Sequence, residues 1–128
     1  MKKLLVLLVT LILAVCLLAG CGGGAKTYVD AEKTITASVG QEFIIALDSN
    51  PTTGYDWEES YDDSMLSLDE EESRYEPDEK AEGLVGVGGT QYFRFKALKK
   101  GNTEITLVYK RSWEEEIEDE KVFKVNIK

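Results

Sequence analysis

The feature that most constrains the fold is an alternation of apolar and polar residues, with a period of two, in short runs after residue 26. This alternation, or a short apolar run, occurs in residues 33–39, 42–47, 55–58, 65–68, 91–96, 103–110 and 121–128. A period of two places successive side chains on opposite faces of a strand, whereas a helix repeats its apolar residues every three or four positions. No window after residue 26 has the helical spacing. Short strands separated by turn signals therefore predict an antiparallel β-sandwich.

The first twenty residues have the composition of an export signal. Two lysines precede a nearly unbroken apolar run over residues 4–18, which is shorter than the roughly 20 residues that a membrane-spanning helix needs. The run ends in Leu-Ala-Gly-Cys at residues 18–21, which resembles the lipobox of bacterial lipoprotein precursors. The resemblance implies cleavage after a signal peptide at residues 1–20 and acylation of Cys21. An ordinary secretory signal followed by a coincidental Cys is the alternative.

Cleavage at this position predicts a mature domain without cysteine. Cys16 lies within the predicted signal peptide and is removed with it. It is not itself a suitable lipobox Cys, because the residue before it, Val15, is bulky. Residues 21–32, which begin Cys-Gly-Gly-Gly, are predicted to be a lipid-anchored, flexible tether before a domain at residues 33–128. The predicted location is the bacterial cell membrane, with the domain outside the cytoplasm. A domain of roughly 100 residues buries an adequate core without disulfides.

The composition lacks the side chain that enzymes most often use as a general base. The 128 residues include 15 Lys or Arg, 24 Asp or Glu and no His, which gives a formal charge of −9. The charge becomes −11 when the two lysines of the signal are removed. An acidic chain is unsuited to nucleic acid, and the lack of His removes the commonest general base and metal ligand. The sequence therefore predicts no enzyme, no cofactor and no nucleic-acid partner.

The acidic residues occur in runs at residues 62–63, 69–72, 78–79 and 114–120. Solvated loops and protected sheet edges explain such runs. The spacing of a calcium-binding loop is absent, so no metal site is predicted. A pair of carboxylates for glycoside hydrolysis is the remaining enzymatic alternative, although no motif indicates one.

Three segments between the predicted strands have the composition of binding loops. The first loop is residues 48–54 (Asp-Ser-Asn-Pro-Thr-Thr-Gly), the second is residues 83–90 (Gly-Leu-Val-Gly-Val-Gly-Gly-Thr) and the third is residues 110–114 (Lys-Arg-Ser-Trp-Glu). Loops after every second strand of an alternating sandwich lie at the same end. We therefore expect the three loops to share one tip of the domain.

Each loop can be interpreted as a binding element or as a plain connection. Pro51 and the β-branched Thr52 and Thr53 restrict the first loop, which lowers the entropy lost on binding. The glycines of the second loop leave backbone free to pair with an extended cleft. Arg111 and Trp113 are of the residue types most enriched at interface hot spots. The alternatives are an ordinary turn, a flexible hairpin loop and a Trp folded back on the sandwich edge.

In this order the loops resemble those of the chagasin-type inhibitors of cysteine peptidases. The motifs that carry the resemblance are Asn50-Pro51-Thr52-Thr53-Gly54-Tyr55-x-Trp57, Gly86-x-Gly88-Gly89-Thr90 and Arg111-x-Trp113. The resemblance extends over residues 35–127. It implies an all-β, immunoglobulin-like antiparallel β-sandwich of about seven to eight strands. It also implies a reversible, tight-binding inhibitor of papain-family cysteine peptidases. We expect the protein to be a monomer.

The resemblance also assigns roles to the loop residues. Asn50, Pro51, Thr52, Thr53 and Gly54 would enter the active-site cleft, with Thr52 nearest the catalytic Cys and His of the peptidase. Gly86, Val87, Gly88 and Gly89 would pair with the cleft backbone on one side, and Arg111 and Trp113 would bind the other side. Tyr55 and Trp57 would support the first loop from the sandwich.

One residue departs from the family pattern. Ser112 stands where the family usually has Pro between the Arg and Trp of the third loop. Loss of that restraint predicts a less preorganised loop, and it leaves open a weaker affinity or a different target. A surface-anchored module that uses the same tip on a non-peptidase partner is the alternative function.

Overall fold

The structure, a computed structural model, describes residues 24–78 and 88–128, and these form two packed β-sheets. The strands are β1 (Lys26–Tyr28), β2 (Ile35–Ala37), β3 (Glu42–Ser49), β4 (Tyr55–Tyr61), β5 (Leu66–Asp69), β6 (Tyr75–Pro77), β7 (Gly89–Ala97), β8 (Gly101–Arg111) and β9 (Ile117–Ile127). A single turn of 3-10 helix, Pro51–Thr53, joins β3 to β4. The predicted all-β sandwich is confirmed.

One sheet has the strand order β1-β3-β7-β5, with β6 also paired to β7, and the other has the order β2-β9-β8-β4. The pairings among the long strands are antiparallel, as the sequence predicts. The short strands β1 and β2 differ, because they lie parallel to β3 and β9. Their three-residue length and their partners far along the chain explain why the alternation pattern does not reveal this direction.

The core lies between the sheets and follows directly from the alternation. In β8, Ile105 and Leu107 are fully buried, whereas Thr106 between them is half-buried on the outer face. The same rule brings aromatic and aliphatic side chains inward from the facing strands, including Phe43, Ile45, Leu47, Trp57, Phe93, Phe95, Phe123, Val125 and Ile127. This continuous core fixes the register of each strand, because a one-residue slip would turn the apolar set toward water.

The folded unit begins before residue 33. The sequence predicts a flexible tether over residues 21–32, but Lys26–Tyr28 pair with β3 and Tyr28 is only 8% exposed. Tyr28 packs edge-on against Phe43, with ring centroids 6.3 Å apart. The Gly-rich sequence before it masks this strand, because only one of its three residues is apolar and no alternation can be recognised.

Several predictions lie outside the described residues. They are the signal peptide at residues 1–20, the lipidation site Cys21, and the second-loop residues Gly86 and Val87. Within the described part of the chain, no helix has the length and apolar character to cross a membrane.

Candidate functional site

The described parts of the three loops meet at one end of the sandwich, which we call the tip. Strand β3 ends at Ser49, directly opposite Gly89 at the start of β7. Strand β4 begins at Tyr55, directly opposite Arg111 at the end of β8. The first loop therefore lies between the described end of the second loop and the third loop.

The first loop is a closed turn rather than an open segment. The backbone N–H of Thr53 donates to the carbonyl of Asn50 (3.2 Å), and that of Gly54 donates to Pro51 (3.0 Å). The Thr52 hydroxyl donates to the Asn50 side-chain carbonyl (2.5 Å), and the Thr53 hydroxyl donates to the Asn50 backbone carbonyl (2.7 Å). Pro51, Thr52 and Thr53 remain exposed. The sequence thus presents a preformed surface whose shape is set by local hydrogen bonds.

Two stacked aromatic rings support this turn from the core. Trp57 is 4% exposed, and its ring lies 4.9 Å from that of Tyr109 at an interplanar angle of 18°. The indole N–H of Trp57 donates to the carbonyl of Asp48 (2.9 Å). The backbone N–H of Asn50 donates to the Tyr109 hydroxyl (2.9 Å). The backbone on either side of Ser49 is therefore tied to a rigid part of the sandwich.

The sequence predicts that Tyr55 and Trp57 support the first loop, but it does not identify Tyr109. Tyr109 follows Ile105 and Leu107 in phase, so the alternation indicates only another core residue. The signal that could have found it is its polar end, because a half-buried Tyr at the last inward position of a strand needs a partner for its hydroxyl. Tyr55 contributes by packing edge-on against the Tyr109 ring at 5.3 Å.

The third loop is joined to the first by Arg111. Its Nε donates to the backbone carbonyl of Thr53 (3.1 Å), and its guanidinium lies over the Tyr55 ring at 4.4 Å from the centroid. Its Nη1 lies 3.4 Å from a carboxylate oxygen of Glu114, and the N–H of Glu114 donates to the Arg111 carbonyl (3.1 Å). One side chain thus links two of the three loops.

Trp113 lies on the first loop and not on the sandwich edge. It is 70% exposed, but a Cβ built on Gly54 would come within 2.5 Å of its Cη2 atom. Gly54 has φ +85°, a conformation that favours glycine. The backbone torsion therefore favours glycine at this position, and the absence of a side chain also makes room for the indole packed against it.

A β-bulge lies beside the third loop and changes the direction of the strand pair that leads into it. Tyr109 is opposite Asp119, but the next residue, Lys110, is opposite Ile117, so β9 contains one extra residue here. Bulges increase the local twist of a strand pair and turn its end. The turn that carries Trp113 follows immediately.

The described glycines of the second loop are packed against the chain's own backbone. A Cβ on Gly89 would overlap the carbonyl oxygen of Glu76 and the Cα of Pro77. A Cβ on Gly88 would lie 3.0 Å from the carbonyl oxygen of Ser49. These glycines therefore bring β6, β7 and the first loop close together, a role that the sequence motif does not reveal.

Two ionisable groups with shifted pKa lie away from the tip. Hydrogen bonds from Ser64 lower the pKa of Asp62, which is in the turn between β4 and β5 at the opposite end. Arg94 forms a hydrogen-bonded ion pair with Glu42 on the outer face of the first sheet, with its Nη2 2.6 Å from a carboxylate oxygen. This pair raises the pKa of Arg94. Both interactions stabilise local structure. The described residues contain no group of three or more metal-ligating side chains.

The fold is an immunoglobulin-like sandwich whose described loops contact one another at one end, which is the arrangement by which antibody variable domains present their binding loops. Residues 36–127 match the chagasin family of peptidase inhibitors, I42. The chain belongs to this family, which agrees with the sequence prediction that it is not an enzyme. It is 36% identical to Chagasin from Trypanosoma cruzi over 101 residues, which cover 74% of this chain and 87% of that protein.

Solved structures agree with this assignment. The cysteine protease inhibitor EhICP2 from Entamoeba histolytica superposes with a TM-score of 0.67 at 30% identity, covering 81% of this chain and 96% of that one. The solution structure of Amebosin superposes with a TM-score of 0.68 at 31% identity, covering 83% and 100%. The likeness therefore extends over nearly the whole of both solved chains.

Proposed function

We propose that this protein is a reversible, tight-binding inhibitor of papain-family cysteine peptidases, and that its tip occludes the active-site cleft. The observation that carries the proposal is the locking of the loops, in which Arg111 holds Thr53 and Trp113 covers Gly54. Membership of a peptidase-inhibitor family and the likeness to a cysteine protease inhibitor support it. We also propose that it acts as a monomer, since the described loops of one chain meet at the tip and no second chain is needed to complete that surface.

The physical basis of inhibition is a surface that fits the cleft but cannot be cleaved. A peptidase cuts a peptide bond that it holds in a near-attack geometry. The hydrogen bonds around Asn50 hold the first loop in a tight turn, so that its carbonyls stay out of that geometry while Thr52 approaches the catalytic Cys and His. A preformed loop also loses little entropy on binding, which favours high affinity.

The other loops bind on either side of the catalytic centre. The second loop pairs its backbone with the cleft wall through Gly86, Val87 and Gly88. The sequence predicts that Gly89 takes part as well, but it is buried opposite Ser49 and Pro77, and it therefore holds the base of this loop. Arg111 and Trp113 bind the opposite wall, where the exposed indole covers an apolar surface of the enzyme. Buried Trp and Arg side chains contribute a large share of the free energy of most protein interfaces.

Titration of the purified protein against papain tests this function. We expect a linear loss of activity that ends near one inhibitor per active site, with activity returning on long dilution. A cysteine peptidase of an unrelated fold serves as the control and should retain full activity. Absence of inhibition of any papain-type peptidase at micromolar concentration would contradict the proposal.

We also propose that the protein is exported and anchored to the membrane by a lipid on Cys21. Strand β1 supports this arrangement, because Lys26 is opposite Phe43 near the start of β3, whereas the first loop follows the end of β3. Six residues of extended strand span about 20 Å. A chain anchored a few residues before Lys26 would therefore present the tip away from the membrane.

Fractionation of cells that express the full chain tests the anchor. We expect the protein in the membrane fraction, and the Cys21→Ser variant outside it. Cys16→Ser is the matched control, because that residue lies in the signal peptide, and it should not change the distribution. A membrane-bound Cys21→Ser variant would contradict lipidation at this position.

A further inference from the structure

The turn of the third loop is closed by a side-chain link as well as by its backbone. Its four residues run from Arg111 to Glu114, with Ser112 and Trp113 at the centre. In the backbone hydrogen bond, the N–H of Glu114 donates to the carbonyl of Arg111 (3.1 Å). The ion pair between the same two residues (3.4 Å) spans the turn a second time.

Glu114 differs from the acidic residues that follow it. Its side chain is 38% exposed, whereas Glu115 and Glu116 are exposed and form no hydrogen bond or ion pair with the described residues. Of these three glutamates, Glu114 is therefore the one whose side chain contacts the third loop.

The contact of Glu114 with Arg111 affects more than the third loop, because Arg111 also contacts the first loop. The guanidinium that contacts Glu114 also donates to the Thr53 carbonyl and lies over the Tyr55 ring. Fixing the guanidinium fixes the distance between the first and third loops. It also restricts the turn whose third residue, Trp113, packs on Gly54.

Ser112 explains why such a link is needed. It occupies the second position of the turn, where Pro is favoured because its ring fixes φ. Ser leaves this torsion free, so the unbound loop has more conformations to lose on binding. Arg111 is in an extended strand, as a residue before Pro prefers, and the φ of Ser112 has the negative sign that Pro requires.

We propose that Glu114 is a positioning residue, which orders the third loop through Arg111 and so replaces the restraint that Pro would supply at position 112. The role rests on the proposed function, since the ordered loop is the one that binds the peptidase. Glu114 acts on Arg111 and Trp113 and does not itself contact the enzyme.

A double-mutant cycle between Glu114 and Ser112 tests this role. Partly exposed ion pairs have small energies, so we expect Glu114→Ala to weaken inhibition of papain about two- to five-fold. Glu116→Ala removes the same charge from an exposed position and should have no effect. In the Ser112→Pro background, Glu114→Ala should change inhibition by less than about 1.5-fold, because the Pro already orders the turn.

Mobility of the Trp113 indole in the free protein gives a second, independent measurement. Glu114→Ala should lower the NMR order parameter of its Nε1–H, and adding Ser112→Pro should restore it. Trp57, which is buried, serves as the internal reference. This readout tests the positioning role even if the protein inhibits no papain-type peptidase, so failure of the two proposals can be distinguished.

Three outcomes would overturn the proposal. Equal effects of Glu114→Ala and Glu116→Ala would indicate a general charge effect on the peptidase. An equal effect of Glu114→Ala in the unmodified protein and in the Ser112→Pro background would indicate that Glu114 contacts the enzyme directly. An unchanged order parameter in Glu114→Ala would show that the link does not restrain Trp113.

Discussion

Trp57 lies flat against Tyr109, and each ring makes one hydrogen bond to the backbone that leads into the first loop. Trp57 donates from its indole to the Asp48 carbonyl, and Tyr109 accepts from the N–H of Asn50, both at 2.9 Å. The two bonds lie on either side of Ser49, the last residue of β3. The geometry of the loop is thus set by rings that belong to the opposite sheet.

Tyr109→Phe should weaken the first loop without disturbing the stack. The ring stays in place, but the acceptor for the Asn50 N–H is lost. A hydrogen bond of this kind contributes about 0.5–1.5 kcal/mol to the free energy of unfolding. We expect a loss of that size in urea denaturation, together with a several-fold weaker inhibition of papain.

Tyr61→Phe provides the control for this variant. Tyr61 is at the opposite end of the sandwich, and its hydroxyl makes no hydrogen bond with the described residues, although its ring packs edge-on against Phe95. It should leave inhibition unchanged. If the two variants inhibit equally well, Tyr109 has no part in positioning the loop.

Gly54→Ala should weaken inhibition, because the new Cβ takes the space of the Trp113 indole and the indole must move off the first loop. The φ of +85° adds about 1–2 kcal/mol of backbone strain. We expect inhibition to weaken more than ten-fold and the free energy of unfolding to fall by about the strain energy.

Gly40→Ala separates these two effects. Gly40 has nearly the same torsion, φ +87°, but no atom lies within 4 Å of its would-be Cβ, and it is at the far end of the sandwich. It should lose similar stability and retain full inhibition. Comparable loss of inhibition in both variants would mean that strain, and not the contact with Trp113, is responsible.

The sequence predicts the long strands well because their side chains alternate across a single core. Residues 103–110 of the predicted strand fall within β8, and their inward residues, Ile105 and Leu107, are fully buried. The sequence does not predict the strands β1 and β6. Each has three residues, and their pairing with β3 and β7 is visible only when the whole sheet is assembled.

The loops themselves are recognisable from motifs, but the contacts that shape them are not. Arg111 and Trp113 stand out by residue type, whereas Tyr109 is indistinguishable from a core residue and Glu114 from its acidic neighbours. Their roles depend on which strands are opposite one another. Register is a property of the folded sheets and cannot be read from a loop sequence.

Trp113→Ala should remove binding energy and leave the fold intact. The side chain is 70% exposed, so its loss should change the free energy of unfolding by less than about 0.5 kcal/mol. Hot-spot residues contribute about 2 kcal/mol or more to binding, which corresponds to a thirty-fold or larger rise in the inhibition constant. Titration against papain and thermal denaturation measure the two effects.

Val39→Ala is the control for loss of exposed apolar surface. Val39 is 53% exposed and follows β2, whose end is opposite the end of β9 and so far from the tip. It should inhibit like the unmodified protein. A Trp113→Ala variant that inhibits normally but melts at a lower temperature would make Trp113 a structural residue.

Gly88 and Gly89 should respond differently to the same substitution, although they are neighbours in one motif. In Gly89→Ala the methyl group would overlap the backbone of Glu76 and Pro77, so β6 must move away from β7. Overpacking of this kind destabilises by about 1–3 kcal/mol. In Gly88→Ala the methyl group lies 3.0 Å from the Ser49 carbonyl oxygen, a contact that a small shift of the loop relieves.

We therefore expect Gly89→Ala to lower the free energy of unfolding by at least about 1 kcal/mol more than Gly88→Ala. Both should weaken inhibition, Gly89→Ala by moving the end of the second loop and Gly88→Ala by pressing on the base of the first. Urea denaturation and papain titration of the two variants, measured side by side, check this. Equal stability of the two would show that β6 moves away from β7 at little energetic cost, and that the packing of β6 does not require Gly89.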